Sequence, residues 1–489
     1  MENKRTLFDY LYQLLREQIE TGYLQYGEPF PSMTQLCENY HVGIRTVKDV
    51  LETLKAEGYI KTAERRPSVV SYRRPEAEDS GTAARLLLEK KDAILQVYET
   101  MTLLMPRLFS FSLQNCSREK RDLCFYELKR LRKKDTQARW KAASSSLYNL
   151  LDASGNLLLR DLFTSFEIHA RVPAFLESGP SPSFSEAYRR YSDPAWIIDA
   201  VDTDLPSEVE GRFTEMYHII TASVRGYLNE ISAEYQIEPV QREHYYSWHP
   251  EQGRDHYYMQ IVRSLIDQIG FGIYKDGDFL PSEAALAAEY GVSVATIRKA
   301  IATLNELGFC RTFNVKGTQV SLYNDEAAIR SLKSRVHKTD TFTYLSGLQL
   351  MAVAIIPAAE LAFPRIGREE IKDLGKQLGR TDLIPLDRLF ECIVSHLSLE
   401  PLKTVLCEVK DLLHWGYYFS FFPGGFQMSN EINKKSLQAF HSLQAGDRDG
   451  FARRMSLCYC HILTVVRDFI AAYGLTEADV FVTPEPPPL

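Results

Sequence analysis

"FPSMTQLCENYHVGIRTVKDVLETLKAEGY", Phe30 to Tyr59, returns 250 residues later as "LPSEAALAAEYGVSVATIRKAIATLNELGF", Leu280 to Phe309. The two stretches align without a gap and share Pro31/Pro281, Ser32/Ser282, Leu36/Leu286, Tyr40/Tyr290, Val42/Val292, Thr46/Thr296, Leu54/Leu304 and Gly58/Gly308. The register holds outward from Leu15/Leu265 to Thr62/Thr312. A repeat of this length governs every later reading of the chain. After each copy comes a long region with apolar residues at helical spacing, such as Leu147, Leu150, Leu151 and Leu158. These regions echo each other more faintly. "YETMTLLMP" (Tyr98–Pro106) resembles "YLSGLQLMA" (Tyr344–Ala352), and "SLYNLLDASGNLLLRDL" (Ser146–Leu162) stands where "FECIVSHLSLEPLKTVL" (Phe390–Leu406) stands. The plan is A–B–A′–B′: small domains at 1–75 and 255–323, helical domains at 83–240 and 326–480, and a proline-rich tail at 481–489 expected to be flexible. "HYYSWHPEQGRD" (His244–Asp255) reads as the joint between the halves.

The first copy spells out its own local structure. Leu11, Leu14, Leu15 and Ile19 share one face of an amphipathic helix. Ser32 precedes a second apolar-periodic run, with Gln35 three residues on, the signature of a reciprocal cap. A third helix places Val47, Val50, Leu51 and Leu54 inward and stops at Gly58. "YIKTAERRPSVVSY" (Tyr59–Tyr72) then reads as a two-stranded hairpin. Three helices and a hairpin in this order predict a winged helix-turn-helix, and the whole chain is predicted to be mainly α, with two such domains alternating with two helical bundles. Such a fold reads DNA by laying its third helix in the major groove, N-terminal residues toward the base edges. The outward positions are Ile44, Arg45, Lys48 and Asp49 in the first copy, and Val294, Ala295, Arg298 and Lys299 in the second. Ser32, Thr46, Ser282, Ser293 and Thr296 offer hydroxyls near phosphate, and the wings add Arg65, Arg66 and Lys316. A lone surface lysine is ordinarily just a solvated helix face. Lys48 and Arg298 read otherwise because they fill the same groove-facing position in both copies.

Both A modules resemble the DNA-binding domain of GntR-family bacterial transcription regulators. That family's motif runs approximately leucine-proline-serine-glutamate-arginine, then valine-serine-arginine-x-threonine-valine-arginine, then a glycine-containing wing. The second copy supplies Leu280-Pro281-Ser282-Glu283, Val292-Ser293, Thr296-Ile297-Arg298 and Gly317; the first supplies Pro31-Ser32, Val42 and Thr46-Val47-Lys48. Thr34 and Ala284 replace the motif's first arginine, Ile44 and Val294 its second, and Pro67 stands in place of the first wing's glycine. The resemblance implies a double-stranded DNA operator as partner, with the two unlike heads making the chain an intramolecular pseudo-dimer and leaving a further homodimer open. A single reading head, with the other serving dimerisation, is the alternative.

The B regions resemble the helical FCD sensor of the FadR-type branch. "LFECIVSHLSLEPLKTVL" (Leu389–Leu406) follows that sensor's spacing through Asp387, Phe390, Glu391, Glu400 and Lys403 or Leu402. "SLQAFHSLQAGDRDGFARRM" (Ser436–Met455) and, in B, "LLDASGNLLLRDL" (Leu150–Leu162) with Asn156 continue it. Many such sensors hold a metal through one aspartate and three histidines. Here the aspartate position is Asp387, while the histidine positions fall on Glu391, Ser436 and Cys458, and in B near Ala143, Leu147 and Asp193. No histidine trio is present there, so no metal and no cofactor is expected. Asp387 and Glu391 read as a solvated or hydrogen-bonded carboxylate pair, and His396, His414, His441 and His461 as ordinary helix histidines. An effector, if one binds, is expected among aromatics such as those of "HWGYYFSFFPGGF" (His414–Phe426), whose simpler reading is helix packing and a turn.

Bulk properties agree with this plan. At 489 residues the chain holds roughly three or four domains. Its 45% hydrophobic and 25% charged content is that of a soluble globular protein, and its net charge of −7 argues against indiscriminate polyanion binding. Eight cysteines without a CxxC pair read as free thiols in a reducing cytoplasm. The longest uncharged run, Thr341 to Ala359, is broken by Ser346, Gly347, Gln349 and Pro357 and reads as a core helix rather than a membrane span. An enzyme or metal-dependent protein with residual winged helices is the rival class, but no phosphate loop and no nucleophile–base pair is legible, so no enzymatic activity is expected.

Overall fold

The computed structural model describes residues 7–20, 24, 26–40, 42–62, 68–73, 80–131, 136–170, 182–203, 205–236, 246–248, 250, 257–270, 272–321, 335–379, 383–413, 416, 425–472 and 474–486. The first head is built from α1 (Leu7–Glu20), α2 (Met33–Tyr40), α3 (Ile44–Ala56) and the antiparallel hairpin β1 (Ile60–Lys61) and β2 (Val69–Val70). The second repeats it as α13 (Tyr257–Gly270), α14 (Glu283–Tyr290), α15 (Val294–Glu306), β3 (Cys310–Phe313) and β4 (Gly317–Val320). Between them lie α4 (Ser80–Glu89), α5 (Lys91–Gln114), α6 (Arg118–Cys124), α7 (Tyr126–Arg130), α8 (Thr136–Ala153), α9 (Leu159–His169), α10 (Ser185–Tyr191), α11 (Ala195–Val201) and α12 (Pro206–Tyr235). The last region holds α16 (Arg335–Ala362), α17 (Arg368–Leu378), α18 (Pro385–Ser395), α19 (Glu400–Leu413), α20 (Gly425–Ala445) and α21 (Arg448–Ala472). The expected architecture, two winged heads with small hairpins alternating with helical regions, is therefore the observed one.

The head cores explain why the repeat persists. Leu11, Leu15, Ile19, Phe30, Leu36, Val47, Val50, Leu54, Ile60 and Val70, with Val42, form the buried core of the first head. At the same repeat positions Ile261, Leu265, Ile269, Leu280, Leu286, Ile297, Ala300, Leu304, Cys310 and Val320 are buried in the second. Volume is traded within the set, Val47 growing to Ile297 while Val50 shrinks to Ala300, as close-packed interiors require. Backbone bonds recur in the same register: Gly27 N donates to Val70 O and Gly277 N to Val320 O, each at 2.9 Å. Even a polar anchor is kept, Gln18 donating to Tyr40 Oη at 3.1 Å and Gln268 to Tyr290 Oη at 3.0 Å.

Gly58 ends the third helix of the first head in the left-handed region, φ +82°. A Cβ there meets no atom within 4 Å, so any penalty for a side chain is backbone strain alone. Gly58→Ala is expected to destabilise this head by about 1–2 kcal/mol, measured by denaturant unfolding. Gly58→Asn, whose short amide tolerates this conformation, is expected to cost less.

The chain divides into two compact units. The first comprises Met1–Ala153, Leu159–Arg254 and Leu399–Thr404; the second comprises Ser154–Leu158, Asp255–Ser398 and Val405–Leu489. Each unit thus contains a short piece of sequence from the other half, and the two pieces fall in the same repeated stretch. In the first unit α5 lies along α12, and Glu400 N donates to Gln96 Oε1 at 3.0 Å. Within the stretch expected to join the halves, Trp248 is buried here and donates to Asp161 Oδ2 at 2.8 Å. In the second unit α16 packs along α21, which also packs on α20. Within this unit the buried Asn156 amide donates to Ser346 O at 2.9 Å and to Gln349 Oε1 at 3.0 Å.

Two expectations meet the structure differently. The apolar run Thr341–Ala359 lies in α16. By length and composition α16 and α21 are the two helices among the described residues that could cross a membrane, but the most apolar window of α16 is 89% buried within the protein. The tail expected to be flexible is instead docked as far as Pro484. Phe481 is buried against Phe342, Thr483 meets Thr464 Oγ1 at 2.9 Å, and Cys460 Sγ lies 3.3 Å from Pro484 O. Proline forbids helix there but leaves carbonyls free to accept, and one aromatic ring supplies the burial.

Candidate nucleic-acid interface

In the first head the second helix begins with a complete reciprocal cap: Ser32 N donates to Gln35 Oε1 at 2.9 Å, and Gln35 N to Ser32 Oγ at 3.3 Å. The third helix starts from Gly43, which gives it no side-chain cap. Ile44, Arg45, Lys48 and Asp49 all face solvent, with Ile44 65% exposed, while Thr46 is half-buried. An exposed isoleucine at this point suits contact with a thymine methyl. Lys48 Nζ lies 3.8 Å from Glu52 Oε1 on the next turn, a loose pair. Among the described residues Arg45 has no ion pair.

The second head places its cations differently. Ser293 caps the third helix, accepting from Thr296 N at 3.2 Å and meeting Thr296 Oγ1 at 2.8 Å. Ser282 caps the second helix through Ala285 N at 3.2 Å. Arg298 is exposed, but its Nε donates to Glu283 Oε2 at 2.7 Å. Lys299 Nζ sits 4.0 Å from the centre of the Tyr258 ring. Arg298 and Lys299 thus reach the groove-facing surface already engaged, whereas Arg45 does not. Lys316 stands exposed at the tip of the β3–β4 turn beside Val315, a fully exposed β-branched residue at φ +73°. Such a residue in the left-handed region is a strained one.

Arg45, Thr46 and Lys48 stand in the first turns of the first head's reading helix, and Ser293, Thr296, Arg298 and Lys299 at the same place in the second, while Ser32 and Ser282 stand at the start of the second helix of each head. Lys316 lies apart on the wing. Arg65 and Arg66 lie outside the described residues, as does most of the aromatic stretch from His414. Glu283 and Tyr258, the residues that hold Arg298 and Lys299, escaped the sequence reading. No spacing rule joins positions 15 or 41 residues apart, though Glu283 stood in plain view within the shared motif.

In the last helical region the positions that the sensor resemblance assigns to metal are differently occupied. Lys410 Nζ binds Asp387 Oδ1, and Arg388 pairs with Glu391 at 2.8 Å. Ser436 Oγ and Cys458 Sγ meet at 3.8 Å in the buried core, where burial pushes the Cys458 thiol up to about 11. In the first region Asp193 pairs with the buried Arg139 at 2.6 Å.

A capped second helix, an exposed N-terminal face on the third and a hairpin behind it define each head as a winged helix-turn-helix domain. Residues 7–70 and 257–320 both match the family described as "Bacterial regulatory proteins, gntR family". The chain thus carries the DNA-binding domain of GntR-family regulators twice, in tandem. Over 72 residues it is 32% identical to the HTH-type transcriptional regulator SmoD of Agrobacterium fabrum, a match covering 15% of this chain and 31% of that protein. Over 63 residues it is 41% identical to the mannosyl-D-glycerate transport/metabolism system repressor MngR of Escherichia coli, covering 13% of this chain and 26% of that one. The chain therefore spans about a third or less of the length of these curated relatives. Among solved structures, Streptococcus agalactiae GntR is 17% identical, with 42% of this chain and 99% of that chain covered at a TM-score of 0.21.

Proposed function

We propose that this protein is a cytoplasmic, DNA-binding regulator of transcription that brings two unlike GntR-type reading heads to one operator within a single chain. The observation that carries the reading is the contrast inside the repeat: ten core positions stay buried in both heads while the groove-facing residues differ in charge and in partners. The groove face also keeps its chemistry in register, a hydroxyl at Thr46 and Thr296 and a cation at Lys48 and Arg298. The tandem repeat supports the pseudo-dimer, because one chain carries both of the heads that two half-sites need. Because Arg45 and Lys48 face Ala295 and Arg298, the target is an asymmetric site rather than a palindrome. The helical regions, FCD-like in pattern, serve effector sensing, dimerisation or both.

The test is to select preferred duplexes from random DNA and footprint them with protein whose mass in solution is measured. One chain protecting two dissimilar half-sites is the expected result. A single protected half-site, or a palindrome occupied by two chains, would sink the reading. The second reading, one DNA-binding head and one structural head, is favoured by the engagement of Arg298 and Lys299 with Glu283 and Tyr258.

A further inference from the structure

Glu370, Cys392 and His396 converge on one point between α17 and α18. Glu370 lies in the first turn of α17, Cys392 in the last turn of α18, and His396 directly follows that helix. Positions four apart share a helix face, so Cys392 and His396 look the same way, toward the carboxylate. His396 Nε2 is 3.0 Å from Glu370 Oε2, Cys392 Sγ is 3.9 Å from Glu370 Oε1, and the ligand atoms of all three lie within 4.8 Å of one another. Cys392 is buried, while the other two are partly open to solvent.

The imidazole is oriented for a purpose. His396 Nδ1 lies 2.9 Å from Cys392 O and 3.2 Å from Ser395 Oγ, and with its proton on Nδ1 the ring donates to that carbonyl. Arg365 Nη1 donates to His396 O at 3.1 Å and fixes the backbone there. In that tautomer Nε2, 3.0 Å from Glu370 Oε2, is the nitrogen free to ligate. A proton on either group or a metal ion can bridge that approach. A backbone carbonyl on the far nitrogen is the usual means of holding a metal-binding histidine.

We propose that Glu370, Cys392 and His396 form a divalent transition-metal site of the zinc class, with one carboxylate oxygen, one thiolate and Nε2 as protein ligands. Tetrahedral zinc with bonds of about 2.0–2.3 Å sets its ligand atoms about 3.3–3.8 Å apart, so atoms within 4.8 Å of one another close on an ion with shifts of up to about 1 Å and a turn of the Glu370 carboxylate that offers one oxygen to both partners. Three protein ligands leave the fourth position to water or to a small anionic ligand. An oxygen–nitrogen–sulfur set favours zinc over magnesium or calcium. The site is separate from the positions of the sensor resemblance, since Asp387 is taken up by Lys410 and Glu391 by Arg388. Binding expels the Cys392 thiol proton to solvent. The ion fastens the start of α17 to the end of α18.

Titrating metal-stripped, full-length protein with cobalt(II) tests the site without knowledge of any effector. The expected result is one equivalent bound, with four-coordinate d–d bands and a thiolate-to-cobalt charge-transfer band, both erased by zinc. Cys392→Ser is expected to remove the charge-transfer band, and His396→Gln to weaken binding about tenfold or more. Glu370→Gln, at a partly exposed position, is expected to weaken binding similarly while the far-ultraviolet circular dichroism stays that of the parent, so it decides the matter should Cys392→Ser misfold. No charge-transfer band at any ratio would show that the cluster is a Glu370–His396 ion pair beside a thiol. A band unchanged by Cys392→Ser or by Glu370→Gln would place the metal on other residues; either result overturns the proposal.

Discussion

Replacing Arg45 and Lys48 together by alanine is expected to weaken binding to the selected duplex by at least about tenfold, and replacing Arg298 and Lys299 together to weaken it less. A side chain that contacts a base edge or phosphate well is worth about 1–3 kcal/mol, or about 5- to 150-fold each. In the first head little has to be surrendered to make those contacts. Lys48 gives up only a loose 3.8 Å pair with Glu52, and such exposed pairs are worth at most about 1 kcal/mol. In the second head Arg298 must leave Glu283, and Lys299 must leave the Tyr258 ring. The two contacts together cost about 1–2 kcal/mol, which is subtracted from what DNA returns. The measurement is fluorescence anisotropy at two salt concentrations, since each phosphate-neutralising cation lost lowers the slope of log affinity against log salt by about 1. No loss from the first pair would remove Arg45 and Lys48 from the interface. Equal losses would show that Arg298 and Lys299 are released at no net cost.

Much of the heads was legible because the repeat supplies an internal control. Ten of the eleven buried core positions of the first head are buried in the second as well, and the eleventh, Val42, is matched by the half-buried Val292. The cap at Ser32 was legible for the same reason, since its chemistry is local and its partner stands three residues away. What could not be read is non-local. Glu283 finds Arg298 only because the second helix lies across the third, and Glu370 finds Cys392 and His396 only because α17 folds back on α18. His396 read as an ordinary helix histidine, since its i, i+4 partner is a cysteine in an apolar run and nothing in the spacing names Glu370. The inclusion of Ser154–Leu158 in the second unit was invisible for a related reason. Helical periodicity says which face is covered and is silent on what covers it. The docking of Phe481 escaped because local proline content was weighed and one aromatic side chain was not.

Leu54→Ala and Leu304→Ala are expected each to unfold most of the head that carries it, and so to separate the two functional readings. Both side chains are fully buried at equivalent points of the third helix, and both leucine carbonyls accept the backbone bond that closes the following turn, from Tyr59 N at 2.8 Å and Phe309 N at 2.9 Å. Removing a buried leucine costs about 3–5 kcal/mol once the cavity is included. A domain of this size holds only about 3–10 kcal/mol, so one substitution consumes most of that margin. The loss is expected to be harsher at Leu54, where Val50 is β-branched and stiff, than at Leu304, whose neighbour Ala300 leaves the backbone more room to settle. Denaturant unfolding of the full chain should show one early transition in each variant while the helical regions melt unchanged. Footprinting then assigns the roles. If both heads read, each variant loses its own half-site and keeps the other. If Leu304→Ala leaves the whole footprint and its affinity intact, the second head is a structural copy, and the engagement of Arg298 with Glu283 is its resting state rather than a contact waiting to be exchanged for DNA.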